Sequence, residues 1–206
     1  MDTSRRRLVD KVGFFNKHAH TWDGERNDAM ASRLERVVHT SGAQQGERVL
    51  DVGTGTGVLI PHILHAVGSE GAVVAVDVSP EMLAQARAKG FPENVLFLQA
   101  DIEHTGLPDA SFHRVICNAA FPHFSDKRHA LNEMVRLLLP GGTLIVSHPI
   151  GREAVNKVHM DAGDAVAEDR VPPPEAMREL LGQAGLVDVY VIDEPSFYLA
   201  HGRKPA

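Results

Sequence analysis

The apolar run Val49-Leu50-Asp51-Val52 meets the turn Gly53-Thr54-Gly55-Thr56-Gly57, and Val58-Leu59-Ile60-Pro61-His62-Ile63-Leu64 follows at once. A short β-type run, glycines at alternate positions and a helix start leave few architectures open: the segment predicts a buried strand that turns sharply into a helix. Glycines let the backbone take positive φ and let a ligand approach with no Cβ in the way. The unsatisfied N–H groups of the helix start face whatever lies over the turn. The turn therefore reads as a ligand-binding element.

The rest of the chain repeats the unit. Strands are expected at about 48–52, 72–77, 95–99, 113–118 and 142–148, with helices between them at about 58–67, 80–89 and 126–138. Alternation of this kind demands a parallel, doubly wound sheet with right-handed crossovers. The C-terminal part departs from it, with helices at about 151–162 and 175–184 and then two β-type runs, 186–193 and 196–203. Joined only by Glu194-Pro195, those runs must form an antiparallel hairpin, giving a seven-stranded, mostly parallel sheet of α/β class. Val171-Pro172-Pro173-Pro174 reads as a stiff lead into the helix at 175–184. Residues 1–46, two helical pieces at about 3–18 and 25–41, are expected to cap the sheet edge of the same domain, whose core is 47–206. At 206 residues and 22.4 kDa the chain has room for one sizeable domain.

Glycine-rich turns after a first strand also serve dinucleotides, but that fingerprint is G-x-G-x-x-G. Here Val58 stands where the last fingerprint glycine would fall. Asp51, just before the turn, suits a cationic ligand better than a pyrophosphate. The second strand ends in Asp77, followed by Val78 and by Ser79-Pro80-Glu81-Met82, a capped helix start. An acid at that strand tip can accept from both hydroxyls of a ribose, which argues for an adenosine-type ligand without choosing it. Three later segments choose: Val95–Ile102, a strand ending in Asp101; Leu107-Pro108-Asp109-Ala110-Ser111-Phe112-His113-Arg114-Val115; and Leu139-Pro140-Gly141-Gly142-Thr143. Together, and in this order, the five segments resemble the motifs of the class I S-adenosylmethionine-dependent methyltransferases over about half the chain. Within that family the chain is similar to the small-molecule group that includes quinone-biosynthesis C-methyltransferases.

The resemblance implies a Rossmann-like methyltransferase fold that uses S-adenosylmethionine. It assigns Asp51 with the backbone of Gly53 and Gly55 to the amino-acid end of the cofactor, Asp77 to the ribose, and Asp101 with Ile102 to the adenine. Val78, Met82, Asn118 and Trp22 fall around them, Trp22 in the segment that closes over the cofactor in related enzymes. Phe14 and Phe15 equally suit packing of a helix onto the sheet. Asp51, Asp77, Asp101, Asn118 and His148 all sit at strand ends and are expected to line one edge of the sheet.

Methyl transfer from a sulfonium needs the donor and the nucleophile held in line, and a base only where the nucleophile carries a proton. The loop Asn118-Ala119-Ala120-Phe121-Pro122-His123-Phe124 follows the fourth strand, where the family contacts its substrate. It lacks the Pro-Pro-aromatic run of enzymes that methylate DNA bases or glutamine, and the acidic partner of the metal-dependent catechol type. Asn118 reads either as a ligand contact or as a turn cap. Histidine is in excess, 12 in 206 residues. His123, His148 and His159 are expected to converge above the sheet, joined by Asn156, Asp161 and Asp164, with Asn156 and His159 on one helix face. They read as acceptor contacts or a general base, as metal ligands, or as structural residues. The spacing is no zinc signature, and the catalytic assignment is His123, His148 and His159 with no metal.

Composition removes other classes. A formal net charge of −6 and a pI near 6.0 are poor for binding nucleic acid. Arg5-Arg6-Arg7 is too short to reverse that. No apolar run reaches the length of a membrane span, and no signal peptide is evident. The single cysteine, Cys117, allows no internal disulfide and reads as a buried strand residue, in keeping with a reducing, cytoplasmic location. The expected activity is methyl transfer to a small-molecule acceptor. A non-catalytic cofactor-binding or scaffolding protein, and then a nicotinamide-dependent oxidoreductase, are the alternatives.

Overall fold

The computed structural model describes residues 3–24, 28–162 and 164–206, with side chains from residue 8 onward except at 164. The side chains of Arg5, Arg6, Arg7 and Asp164 thus lie outside the described residues. The elements are α1 (Thr3–His18), α2 (Asp28–Ser41), β1 (Arg48–Val52), α3 (Ile60–Val67), β2 (Ala72–Asp77), α4 (Pro80–Ala88), β3 (Val95–Gln99), β4 (Phe112–Asn118), α5 (Lys127–Leu137), β5 (Leu138–His148), α6 (Arg152–Ala162), α7 (Pro174–Gln183), β6 (Val187–Glu194) and β7 (Phe197–Arg203). The strands form one seven-stranded sheet in the order β3-β2-β1-β4-β5-β7-β6. β1 to β5 run parallel, and β7 pairs antiparallel with both β5 and β6.

Side chains of opposite parity along the strands supply two cores. Leu50, Val52, Cys117, Leu144 and Val146 pack with Leu131 and Met134 of α5 and with Met177 and Leu181 of α7. Val49, Ile116 and Ile145 pack the other way, with Leu34 and Val37 of α2 and with Ile60 and Ile63 of α3. Period-2 alternation thus feeds both faces of a sheet that is covered on both sides. Cys117 is buried, and that burial pushes its thiol well above the ordinary range.

Three expectations shift. α3 begins at Ile60, so Val58 and Leu59 still belong to the turn. β5 begins at Leu138, and the Pro140-Gly141-Gly142 segment lies within its span because Leu138 pairs with Phe112 across a register shift. The N-terminal helices do not cover a sheet edge. α2 packs on a face, where its buried Leu34, Val37 and Val38 meet β1, β4 and β5. α1 lies over α4 and the 164–166 turn, above the carboxyl ends of the strands. The strand order reverses between β1 and β4, and the crevice there is where an open α/β sheet holds its ligand.

Candidate functional site

The glycine turn closes onto its neighbours. The N–H groups of Gly53 and Thr54 donate to the Val76 carbonyl at 2.8 and 3.0 Å, tying the end of β1 to the end of β2. Gly53 has φ +67°, and a Cβ there would sit 2.3 Å from the Ala120 Cβ, so the turn packs against the loop after β4. That loop is itself unusual: Ala119 has φ +57°, a conformation costly for an L side chain, and its N–H donates to Ser147 O at 2.7 Å. Gly55 has φ +54°, and a Cβ there would make only an ordinary contact with the indole nitrogen of Trp22, at 3.9 Å. The backbone at Gly55 borders a cavity.

Three acids flank that space. Asp51 is 1% exposed and accepts from Thr54 Oγ1 at 2.6 Å. Burial pushes its carboxyl up to about 7, against the hydrogen bond from Thr54 and with a further push from Asp77. A buried carboxylate so poorly compensated fits a cationic ligand group. Asp77 accepts from the Gly55 N–H and the Ser79 N–H, each at 2.8 Å. Burial raises its carboxyl above the usual range, and the backbone hydrogen bonds from Ser79, Gly55 and Val78 oppose that rise. With three backbone partners, the carboxylate still has acceptor capacity for a ligand hydroxyl. Asp101 accepts from the Glu103 N–H at 3.1 Å and opens the 3-10 turn Ile102–His104. Asn118 is tied to Ser147, whose Oγ donates to Asn118 Oδ1 at 3.0 Å.

Asp51, Gly53, Gly55, Asp77, Val78 and Met82 line one cavity, together with Asp101, Ile102, Asn118 and Trp22. Every residue the sequence assigned to the cofactor therefore meets in one place. The far wall comes from α1 and the loop after β4: Lys11, Phe15, Ala119, Ala120, His123 and Phe124. Trp22 stands edge-on to Phe15 at 5.6 Å, and Phe15 edge-on to His123 at 5.0 Å. The segment after α1 is latched to the turns: Asp23 accepts from Thr56 Oγ1 and pairs with Lys89 at 2.8 Å. Ser79 Oγ donates to Asn16 Oδ1 at 2.7 Å.

The histidines separate. His123 is in the cavity wall; His148 and His159 are not. His159 lies against the His123 ring at 4.7 Å between centroids, and its Nδ1 meets the Asp169 carbonyl at 3.0 Å. His148, expected to line the edge, is instead 2% exposed and outside the cavity lining, at the end of β5 with Tyr198 as its register partner, because β7 and β6 extend the sheet and make β5 an interior strand. Among the described residues its Nε2 has no hydrogen-bond partner, and burial, then the electrostatic influence of His123 and His159, holds the ring down at about 3. Asp161 is exposed and pairs with Lys157 at 2.6 Å. Asn156 grips the backbone of Val171, accepting from its N–H at 2.8 Å and donating to its carbonyl at 3.5 Å. Among the described residues no group of three or more His, Cys, Asp or Glu could hold a metal ion.

Two residues that the sequence did not single out support the wall: Lys11 lines the cavity, and Asp169 stands behind it on His123 and Lys11. Asp169 is 8% exposed, and its Oδ2 meets His123 Nδ1 at 2.6 Å. Lys11, 7% exposed, donates to Asp169 Oδ1 at 2.8 Å and to the His123 carbonyl at 2.6 Å. Burial drives the Asp169 carboxyl up, but the hydrogen bonds from His123 and Lys11 outweigh it and hold the group below the ordinary range. Burial lowers His123, and the bond to Asp169 offsets part of that fall. No spacing rule joins residues 11, 123 and 169.

Comparison with known proteins bears on the family and the fold. Residues 50–146 match a methyltransferase domain family. The chain is 32% identical over 191 residues to the ubiquinone/menaquinone biosynthesis C-methyltransferase UbiE of Hahella chejuensis, covering 78% of this chain and 77% of that one. The protein of the same name from Cronobacter sakazakii is 31% identical over 196 residues, covering 79% and 77%. Among solved structures, a SAM-dependent methyltransferase from Aquifex aeolicus superposes with a TM-score of 0.63 at 28% identity, covering 82% of this chain and 87% of that one. A Haloferax volcanii methyltransferase, solved in complex with the Trm112 methyltransferase activator, shares the fold at a TM-score of 0.75 and 22% identity, covering 93% and 98%.

Proposed function

The chain belongs to the class I S-adenosylmethionine-dependent methyltransferases, and on that premise we propose that it methylates a small, mostly apolar acceptor seated between the cofactor and the wall of Phe15, Ala119, Phe124 and His123. When bound, S-adenosylmethionine supplies an electrophilic methyl group on a sulfonium. The protein's part is then to hold two partners in line and keep water out. Asp51 and the turn at Gly53 and Gly55 take the amino-acid end, whose ammonium meets the buried carboxylate. Asp77 takes the ribose diol, and Asp101 with Ile102 takes the adenine. Trp22 and Phe15 close over the site from the N-terminal segment.

Among the assigned histidines, His123 is the acceptor-side base, since its ring borders the cavity and one ring nitrogen is already engaged by Asp169. His159 and His148 support it from behind, in contact with the first ring or buried near it. The acceptor class to assay first comes from ubiquinone/menaquinone biosynthesis, the pathway for which the similar UbiE proteins are named. The convergence of three strand-end acids and the glycine turn on one cavity carries this reading.

Calorimetric titration tests it through Asp77. S-adenosylmethionine is expected to bind the wild type, and Asp77→Ala to lose at least about tenfold in affinity, because each hydrogen bond to the carboxylate contributes about 1.5–3 kcal/mol. Asp77→Asn, which keeps one acceptor oxygen, is expected to fall between them. Equal affinity in a folded Asp77→Ala protein would remove the ribose assignment.

A further inference from the structure

We propose that Asp169, clamped by Lys11, is the positioning residue that fixes His123 in the Nδ1–H form and so makes its Nε2 the proton acceptor of methyl transfer. The inference rests on the methyltransferase reading of the cavity and adds a device that neither the family motifs nor the site's strand-end acids contain. It starts from a carboxylate with two partners. Asp169 Oδ2 takes the His123 Nδ1 side at 2.6 Å, while Oδ1 takes the Lys11 ammonium at 2.8 Å. The Lys11 ammonium also holds the His123 carbonyl at 2.6 Å, so one cation fixes both members of the pair.

Asp169 is anchored as carefully as the histidine. Its carbonyl meets His159 Nδ1 at 3.0 Å, and two residues on, Asn156 holds Val171 through both backbone groups. Tyr198 Oη donates to the next carbonyl, that of Pro172, at 3.1 Å. Asn156 and His159, one turn apart on α6, therefore act on the segment that delivers Asp169 rather than on the acceptor.

The charges facing His123 come from four elements. Lys11 approaches from α1, Asp169 from the segment before α7, His159 from α6 and His148 from β5. Burial lowers the ring, Asp169 opposes that fall, and His159 and Lys11 add smaller downward pushes, so the ring favours the neutral form beside the Lys11–Asp169 ion pair. With Nδ1–H donated to an ionised carboxylate, Nε2 carries the lone pair. In the transfer the acceptor atom gains the methyl group, the carbon–sulfur bond breaks with its electron pair left on sulfur, and the acceptor's proton passes to Nε2. One positive charge leaves the sulfonium and one appears on the imidazole, where Asp169 already stands. The fitting acceptor is thus neutral and bears a removable proton.

The test is spectroscopic and needs no acceptor. Protein labelled with 15N-histidine is recorded by two-bond proton–nitrogen correlation, with the His123 signals identified by their loss in His123→Gln. The wild type is expected to show Nδ1–H with a bare Nε2. Asp169→Ala is expected to let the ring move to the Nε2–H form. Asp169→Asn, which removes the facing negative charge, is expected to move the His123 titration down, and Lys11→Met, which removes the facing cation, to move it up. A wild-type ring in the Nε2–H form overturns the proposal without any variant, and so does a titration that both charge changes leave in place. Calorimetry with S-adenosylmethionine on the same wild-type sample keeps the two readings apart: lack of binding would fail the function, whereas the tautomer is legible either way.

Discussion

At the scale of single residues, the site is governed by carboxyls whose burial the sequence cannot express. Asp51 and Asp169 are both acids below 10% exposure, yet they are pushed in opposite directions. Among the described residues Asp51 has one hydroxyl partner and no cation, so desolvation wins and its carboxyl rises from 3.8 to about 7. Asp169 has Lys11 and His123, and they win. A folded-state value above the unfolded one means that the folded protein holds the extra proton between the two. The stabilising contribution of Asp51 is therefore fully present below about pH 4 and is lost as pH rises through about 7, on the order of 4 kcal/mol over that window. A bound ammonium favours the carboxylate and reverses the shift. Binding of S-adenosylmethionine between pH 6 and 7 is thus expected to release a fraction of a proton, seen as a binding enthalpy that changes with the ionisation enthalpy of the buffer, and affinity should rise toward pH 8. Asp51→Asn should abolish the buffer dependence. A buffer-independent wild type would contradict the pairing of Asp51 with a cation.

At the scale of elements, the turn between β1 and α3 and the loop after β4 form one unit. Gly53 and Gly55 share a positive φ, but their surroundings differ: a Cβ on Gly53 would collide with Ala120, whereas one on Gly55 would make only an ordinary contact with Trp22. Gly53→Ala is expected to destabilise the fold by several kcal/mol, through backbone strain of about 1–2 kcal/mol plus the displaced loop. Gly55→Ala should cost little more than the strain, yet weaken S-adenosylmethionine binding by tenfold or more, because its methyl enters the ligand's space. Chemical unfolding and calorimetry on the two variants separate these outcomes, and equal stability losses would refute the distinction. The same unit explains why Ala119 can hold φ +57°: its N–H is tied to Ser147, and its neighbour is wedged by the turn.

At the scale of the whole molecule, the cavity draws on segments distant in sequence. α1 supplies Lys11 and Phe15, the strand ends supply the acids, and Asp169, in the segment before α7, holds Lys11 from behind the wall. A ligand bridging the strand ends and α1 should stabilise the folded chain as a unit. S-adenosylmethionine at a hundredfold excess over its Kd is expected to add about 2.7 kcal/mol, or roughly 5–10 °C in Tm for a chain of this size. NAD at the same concentration should add nothing, since the turn carries Val58 in place of the last fingerprint glycine. A thermal scan that ranks the two ligands the other way would count against the site as described.

Much of this was legible in the sequence because it depends on local rules. Period-2 runs ending in acids, alternate glycines, the Ser79-Pro80 cap and the short link between β6 and β7 each act within a few residues, and they gave the sheet, its reversed last strand and ten residues that meet in one cavity. The ends of elements moved where neighbours intervene, as at the start of β5, because a strand lengthens when a partner's hydrogen bonds reach it. The histidines show the limit. Their number signalled something, but tertiary packing alone put His123 in the wall, His159 behind it and His148 on β5 beside β7. It also brought Lys11 and Asp169, 158 positions apart, to 2.8 Å. The sign of a buried group's charge preference is set by what lies across the fold from it, and no local pattern carries that information.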